Sequence, residues 1–387
     1  MPGKRNNTLK YLPLVIAFCV FIFIPLITSA VQEDRNSSRQ ENRNLSPLPA
    51  LPRSIAELKA LPRKLDDYYA DHFGFREQLN SFYFTLMGYV SSSSTGRDIT
   101  QGQEGWLFLG SIKPGYEGYS DPMGDAMHIN RYTQAELVQF AQYLAAIKQW
   151  LATRGIEYVY VVTPIKHTIY FDKLPAYIER KNDQSALDQV IAYLRANTDV
   201  TIIDLRETLM QEREQLQVYY QTDSHWNSYG ANAAQHEIMT QINTLFPGKV
   251  SPLKLNPDQF DIGYITNGDL ARSANITDAR EQAPSPRFDN GCVPDKENAG
   301  GFRDPFTMVC DTAELNALIF RDSYFTALEP YFSRQFKRST YIWDRLDFTT
   351  LSTFVEQEQP DIVIDQVVER SLPYMPNGKP FVELLSP

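Results

Sequence analysis

Ala317-Leu318-Ile319-Phe320-Arg321-Asp322-Ser323-Tyr324 runs from an unbroken apolar stretch straight into a polar turn. A short apolar run closed by polar residues predicts a buried strand. The same pattern recurs on both sides. Tyr158–Thr163 is a β-branched and aromatic run stopped by Pro164, and Val200–Leu205, Ser339–Trp343 and Asp361–Gln366 are further candidates. Helical spacing fills the gaps: Thr133–Arg154, ending at Gly155; Ser185–Ala196; and Ser228–Leu245, closed by Pro247-Gly248. Strands alternating with helices predict an α/β fold, a mostly parallel sheet covered by helices on both faces. Ligands of such sheets bind beyond the carboxyl ends of the strands. Chemistry is therefore expected just after Thr163, Phe320 and Trp343. Residues 250–312, rich in Asn, Asp, Pro and Gly, read as long loops.

Composition narrows the function classes. The 387 residues are 43% hydrophobic and 22% charged, with 22 Tyr and 22 Phe, which is too aromatic for a disordered chain. A net charge of −10 disfavours nucleic acid as a partner. Arg334, Lys337 and Arg338 form a local basic cluster that reads either as a solvated face or as an attractor for an acidic polysaccharide. No glycine-rich phosphate loop, Cys-x-x-Cys or His-x-x-x-His occurs, so neither a nucleotide cofactor nor a metal is expected. Cys292 and Cys310 are expected to pair in an oxidising compartment, closing a loop at a gain of roughly 3 kcal/mol. Two buried free thiols are the alternative.

The N-terminal end carries an export pattern. Lys4, Arg5 and Lys10 precede an uncharged run from Tyr11 to Ala30. Basic residues before an apolar run of bilayer length predict a helix anchored in the inner membrane, with the rest of the chain on the periplasmic side. Thr28-Ser29-Ala30 also fits a cleavage site, so removal of the segment stays open. The expected layout is an anchor over 1–30, a polar linker over 31–53, a helical extension over 54–100 and a catalytic domain over 101–387. Ser54-Ile55-Ala56-Glu57 has capping-box spacing, followed by Leu58, Leu61, Leu65 and Tyr68 on one face. A second helix is expected over Arg76–Val90, a turn at Ser91–Thr95 and a short strand over Gly105–Leu109.

Histidine is the usual base for a serine nucleophile, and the chain has only five. His225 lies in Thr222-Asp223-Ser224-His225-Trp226-Asn227, just before a helix. An acid two residues earlier can hold the ring Nδ1 and fix its tautomer. The same spacing serves equally well for Asp223 as a helix cap beside a surface His225. Ser323 sits at a strand end, where a nucleophile would be presented or a helix capped, and no G-x-S-x-G surrounds it. His167 follows the strand that ends at Thr163, with Lys166 beside it. His72 and His236 fall within helical patterns, and His128 in a loop without a nearby acid.

Six segments, in order, resemble the SGNH-hydrolase-like proteins of alginate and exopolysaccharide O-acetylation, the AlgJ and AlgX type. They are Asp71–Leu79; Gly102-Gln103-Glu104-Gly105-Trp106-Leu107-Phe108; Thr163-Pro164-Ile165-Lys166 with Tyr170 and Leu174-Pro175; Thr222–Trp226 with Gly230-Ala231; Phe320–Tyr324; and Pro360–Val363 with Glu369-Arg370. The resemblance covers roughly residues 60–372. It implies a three-layer SGNH-like fold in which the Asp-x-His pair precedes the serine, the reverse of ordinary SGNH esterases. It further implies a Ser323–His225–Asp223 triad that moves an acetyl group onto a polysaccharide, with a membrane-bound acyltransferase as donor and no cofactor. Backbone N–H groups near Ser323, with Arg321, Asn267 and Gly268, are candidates for holding an oxyanion, and Tyr324, Lys166 and Arg370 for positioning the acceptor. The end of the chain at Pro387 leaves no room for the carbohydrate-binding module of the AlgX branch, so the anchored AlgJ-like branch is expected. A periplasmic acetylesterase with the same triad, and a non-catalytic protein that presents polymer, are the competing readings.

Overall fold

The computed structural model describes residues 11–31, 37–38, 43–75, 99–110, 120–274, 276–287, 292–297, 301 and 303–372. These fall into two compact units, one up to Ser92 and one from Ser93 onward. Lys4, Arg5 and Lys10, the helix expected over Arg76–Val90 and the turn at Ser91–Thr95 lie outside the described residues.

In the first unit, an uncharged helix of 20 residues spans Leu12–Val31. Several of its side chains are outside the described set; among the described residues no helix is long and apolar enough to cross a membrane. Within the segment read as a linker, β1 (Ser37–Ser38) pairs antiparallel with β2 (Arg43–Asn44). The helix Ile55–His72 starts where Ser54 accepts the N–H of Glu57. Its last turn is tied to the chain before it, since Asp71 accepts the N–H of Ser46 at 2.8 Å and His72 Nε2 lies 3.0 Å from Ser46 O.

The second unit is built on a seven-stranded sheet. Five strands run parallel: β6 (Thr201–Asp204), β5 (Glu157–Thr163), β13 (Ile362–Val368), β11 (Asn316–Phe320) and β12 (Arg338–Ile342), adjacent in that order. Beyond β12, β10 (Phe306–Val309) and β9 (Asp295–Glu297) extend the edge antiparallel. The alternation along each strand feeds two cores. Val159, Val161, Ile319 and Ile364 face one, with the helix Ser228–Leu245. Tyr158, Tyr160, Leu318 and Val363 face the other, with the helices Gln134–Ala152, Ala186–Asn197 and Phe348–Glu358. The result is three layers.

Local chemistry sets the helix starts. Thr133 with Glu136, and Ser185 with Asp188, form reciprocal capping boxes. Gly155, at φ +72, reverses the chain after the first of these helices and leads it into β5. A helix over Arg206–Glu212 escapes the sequence reading, because it begins without a side-chain cap. The strand expected over Gly105–Leu109 begins at Leu107: β4 (Leu107–Leu109) pairs with β3 (Ile99–Gln101) outside the main sheet, and Gln103–Gly105 is a 3-10 turn.

The region 250–312 departs from the loop expectation. β7 (Phe260–Thr266) and β8 (Arg280–Pro286) form an antiparallel ribbon of seven paired positions. Phe260, Ile262 and Tyr264 do carry a two-residue period, but Pro284 and Pro286 hide the partner strand. Proline is tolerated there because a two-stranded ribbon has free edges that require no N–H. A disulfide joins Cys292 to Cys310, with Cα atoms 5.9 Å apart.

Candidate active site

Ser323 opens a 3-10 turn, Ser323–Ala327, three residues beyond the end of β11. Asp322 fixes that turn. One carboxylate oxygen accepts the N–H of Tyr324 at 2.9 Å, and the other accepts the N–H of Val368, at the end of β13, at 2.8 Å. The Asp322 N–H donates to Gln366, whose amide donates to Thr163 at the end of β5. Three parallel strands thus converge on the residue before the serine, at the carboxyl edge of the sheet.

His225 arrives from the segment before the helix Ser228–Leu245. That helix is capped by Asn227, whose side chain accepts from Tyr229 N and Gly230 N, both at 3.0 Å. Asp223 is therefore not its cap. Its Oδ1 lies 2.7 Å from His225 Nδ1 and also accepts the His225 N–H at 3.0 Å. On the other side of the ring, Nε2 lies 2.8 Å from Ser323 Oγ. Two reciprocal bonds brace the turns that carry these groups. Trp226 Nε1 donates to Tyr324 O at 2.9 Å, and the Tyr324 hydroxyl donates to Ser224 O at 2.8 Å. Trp226 and Tyr324 are both buried, whereas His225 and Ser323 are only partly so and stay within reach of a substrate.

A second acid stands behind the histidine. Asp269 accepts the N–H of Ser224 at 2.6 Å and its hydroxyl at 2.5 Å, and an Asp269 oxygen lies 3.6 Å from His225 Nδ1. The N–H of Asp269 in turn donates to Asp223 Oδ2 at 2.8 Å. Burial disfavours the charged imidazole, but the hydrogen bond and charge of Asp223, helped by Asp269, prevail and raise the His225 pKa. For Asp223, burial is likewise outweighed: His225 and the N–H groups of Asp269 and His225 hold its carboxyl well below the usual range. One ligand atom each of Asp223, His225 and Asp269 lies within 4.8 Å of the others, the spacing of a cation site. Those groups already bond one another and Ser224, forming a hydrogen-bonded chain of carboxylate, imidazole and hydroxyl from Asp223 through His225 to Ser323.

The remaining candidates part company. Arg321 turns away from Ser323: its guanidinium stacks 4.0 Å above Trp343, pairs with Glu329 at 2.8 Å and donates to Thr326. Asn267, at φ +56, spends its side-chain amide on Thr277 O, and Gly268 N–H donates to Thr222 Oγ1. Both shape the turn that delivers Asp269 rather than face an oxyanion. The hydroxyl and N–H of Tyr324 are also engaged, and its ring forms a wall 4.7 Å from the imidazole. Lys166 is buried, with its three N–H groups on the carbonyls of Tyr220, Gln221 and Asp223, so it supports the loop from behind. The charge of Arg370 reaches His225 and works against imidazolium formation. His167 is buried against Leu109 O at 2.8 Å, and burial lowers its pKa to about 3. Asp269 escapes the sequence reading because Asp next to Gly reads as an ordinary turn, although its neighbours Asn267 and Gly268 are candidates there.

The family described as SGNH hydrolase-like domain, acetyltransferase AlgX, matches residues 99–300, which is just over half of the chain and takes in Asp223, His225 and Asp269. No curated protein matches in sequence. Bacillus cereus PatB1, solved with a sulfonyl adduct, is 16% identical with a TM-score of 0.51, covering 73% of this chain and 96% of that one. A DHHW family protein from Eubacterium siraeum is 15% identical with a TM-score of 0.50, covering 76% and 97%. The O-acetyltransferase domain of Pseudomonas putida AlgJ is 16% identical with a TM-score of 0.46, covering 72% and 93%. At such identities the likeness to PatB1 and to the DHHW family protein is one of fold alone.

Proposed function

Because the chain belongs to the family of SGNH hydrolase-like domains of the acetyltransferase AlgX type, we propose that it moves acetyl groups onto a polysaccharide through Ser323. The contact that carries this reading is His225 Nε2 at 2.8 Å from Ser323 Oγ, with Asp223 at 2.7 Å on the opposite ring nitrogen. His225 takes the hydroxyl proton as Oγ attacks the donor's acyl carbonyl. The oxyanion that forms faces the backbone N–H of Ser323 at the start of its turn, since the Tyr324 N–H is committed to Asp322. Collapse expels the donor's leaving group, which receives the proton from His225, and leaves an acetyl ester on Ser323. A sugar hydroxyl then loses its proton to His225 and attacks that ester, and the proton returns to Ser323 Oγ. Transfer prevails over hydrolysis when the bound sugar excludes water.

The reaction is placed on the periplasmic side of the inner membrane, with Leu12–Val31 as anchor and a membrane-bound acyltransferase as acetyl source. The uncharged run of 20 residues behind Lys4, Arg5 and Lys10 supports that placement. An anchor holds the catalytic unit, from about residue 101 onward, near a membrane-bound donor at high effective concentration. The acceptor class is an exopolysaccharide, alginate or similar.

The test uses the full chain in detergent, 4-nitrophenyl acetate as donor, and oligouronates or cello-oligosaccharides as acceptors. Mass spectrometry should find acetylated oligosaccharide that disappears in Ser323→Ala. Free acetate alone, formed at the same rate with and without sugar, would make the protein an esterase.

A further inference from the structure

The segment Tyr220–Asp223 carries the acid that orients His225, yet it is neither helix nor regular strand. Its peptide groups must therefore find partners elsewhere: Gln221 O accepts Leu107 N–H at 2.9 Å, Thr222 O accepts Ala271 N–H at 3.0 Å and Tyr220 N–H donates to His225 O at 3.2 Å, and two buried charges take up others, one on the carbonyls and one on the N–H groups. Lys166, on the short helix after β5, directs its Nζ at the carbonyls of Tyr220 and Gln221, both at 3.1 Å, and of Asp223 at 2.8 Å. An ammonium has three N–H groups, and all three are used. Glu281, on β8, collects the donors of the same segment. It accepts the N–H of Thr222 at 3.0 Å, and also the N–H of Gln221 and the hydroxyl of Thr222. Lys166 is 2% exposed and Glu281 6%, so neither charge is there for solvent.

Carbonyls that converge on one point repel each other unless a cation sits among them, and clustered N–H groups likewise call for an anion. Each group thus adds to a backbone shape that a few main-chain bonds, to Leu107, Ala271 and His225, also hold. That shape aims the Asp223 carboxylate. Burial pushes the Lys166 ammonium down to about 7, against the charges of Asp269, Asp223 and Glu281, so its protonation is held by those same neighbours.

We propose that Lys166 and Glu281 are paired positioning residues that grip opposite edges of Tyr220–Asp223 and so keep Asp223 on the ring of His225. Neither touches the reacting atoms. The inference rests on the triad reading above, but its test includes a readout that requires no turnover.

Lys166→Met and Glu281→Gln, made in the full chain, are compared with the wild type in three measurements. The first is the far-downfield proton resonance of the His225 Nδ1–H bonded to Asp223. The second is kcat and KM for 4-nitrophenyl acetate. The third is circular dichroism with thermal unfolding. Folded variants should lose or shift the resonance, and kcat should fall about 10- to 100-fold while KM moves less than about threefold. Thr222→Val, which removes one hydroxyl from the grip of Glu281 and also frees the Gly268 N–H, should show the same changes more weakly and serves if either first variant does not fold. A folded variant with wild-type resonance and wild-type kcat overturns the proposal. A wild type that shows the resonance but no ester turnover would instead count against the acetyl-transfer reading, and the resonance would still judge the grip.

Discussion

Asp223 Oδ1 accepts both the ring Nδ1–H and the main-chain N–H of His225, at 2.7 and 3.0 Å. One oxygen thereby fixes the tautomer and the rotation of the imidazole at once, while the other is held by Asp269 N–H at 2.8 Å. A base must be neutral to accept the serine proton, and the His225 pKa lies above its usual value. Ester turnover should therefore rise with pH along a limb centred above about 6.5, the unperturbed histidine value. Asp223→Asn removes the charge that raises the pKa, so the limb moves to lower pH and kcat falls by about four orders of magnitude. Asp269→Asn should move the limb in the same direction by less. A pH–rate profile of the three proteins checks this; an unmoved limb in Asp223→Asn would contradict the pairing.

Gly268 matters for close approach, since a methyl group there would lie 2.4 Å from Thr222 O. The residue that would be displaced is the neighbour of Asp223. Gly268→Ala should lower kcat about 10- to 100-fold through misplacement of that carboxylate, with circular dichroism unchanged. Wild-type kcat in the alanine variant would show that the turn yields without consequence.

Glu369 is buried beside the site, accepting Ile165 N–H at 3.0 Å and the Thr168 hydroxyl at 2.7 Å. Burial first, then the charge of Asp125, raises its pKa from 4.5 to about 7. A raised folded-state value means that the native protein holds this proton while the unfolded chain has lost it. The stability so gained is full below about 4.5 and is lost as pH climbs through 7. Glu369→Gln cannot titrate. Its unfolding free energy, from urea titrations at pH 4.5 and 7.5, should fall less over that interval than the wild type's, by on the order of 3 kcal/mol. Equal falls in both proteins would contradict a protonated Glu369.

Periodicity and caps made the frame of the fold legible. β5 and β11 carry unbroken apolar runs, Tyr158–Val162 and Ala317–Phe320, because both of their faces are buried, whereas β13 is interrupted by Asp365 and Gln366; Thr133 and Ser185 advertise their helices through local hydrogen bonds. β7 and β8 stayed hidden because proline and glycine in a ribbon erase the strand pattern. The site was legible where chemistry is carried by a short segment, as in Asp223-Ser224-His225. It was not legible where a role depends on what lies across space. In the sequence Lys166 reads as a candidate for positioning the acceptor and Arg321 as one for holding an oxyanion. In the folded chain one meets three backbone carbonyls and the other a glutamate and a tryptophan face. Asp269, distant from His225 in sequence, meets it only in the folded chain.

The central claim is that the hydroxyl of Ser323 becomes the acyl carrier, and trapping the acetylated protein tests it most directly. The full chain, quenched in acid during turnover of 4-nitrophenyl acetate, is digested and analysed by mass spectrometry. One acetyl group on the peptide containing Ser323, absent from Ser323→Ala and from His225→Ala, is the expected result. Undiminished turnover by Ser323→Ala, with the wild-type serine never acetylated, would contradict it.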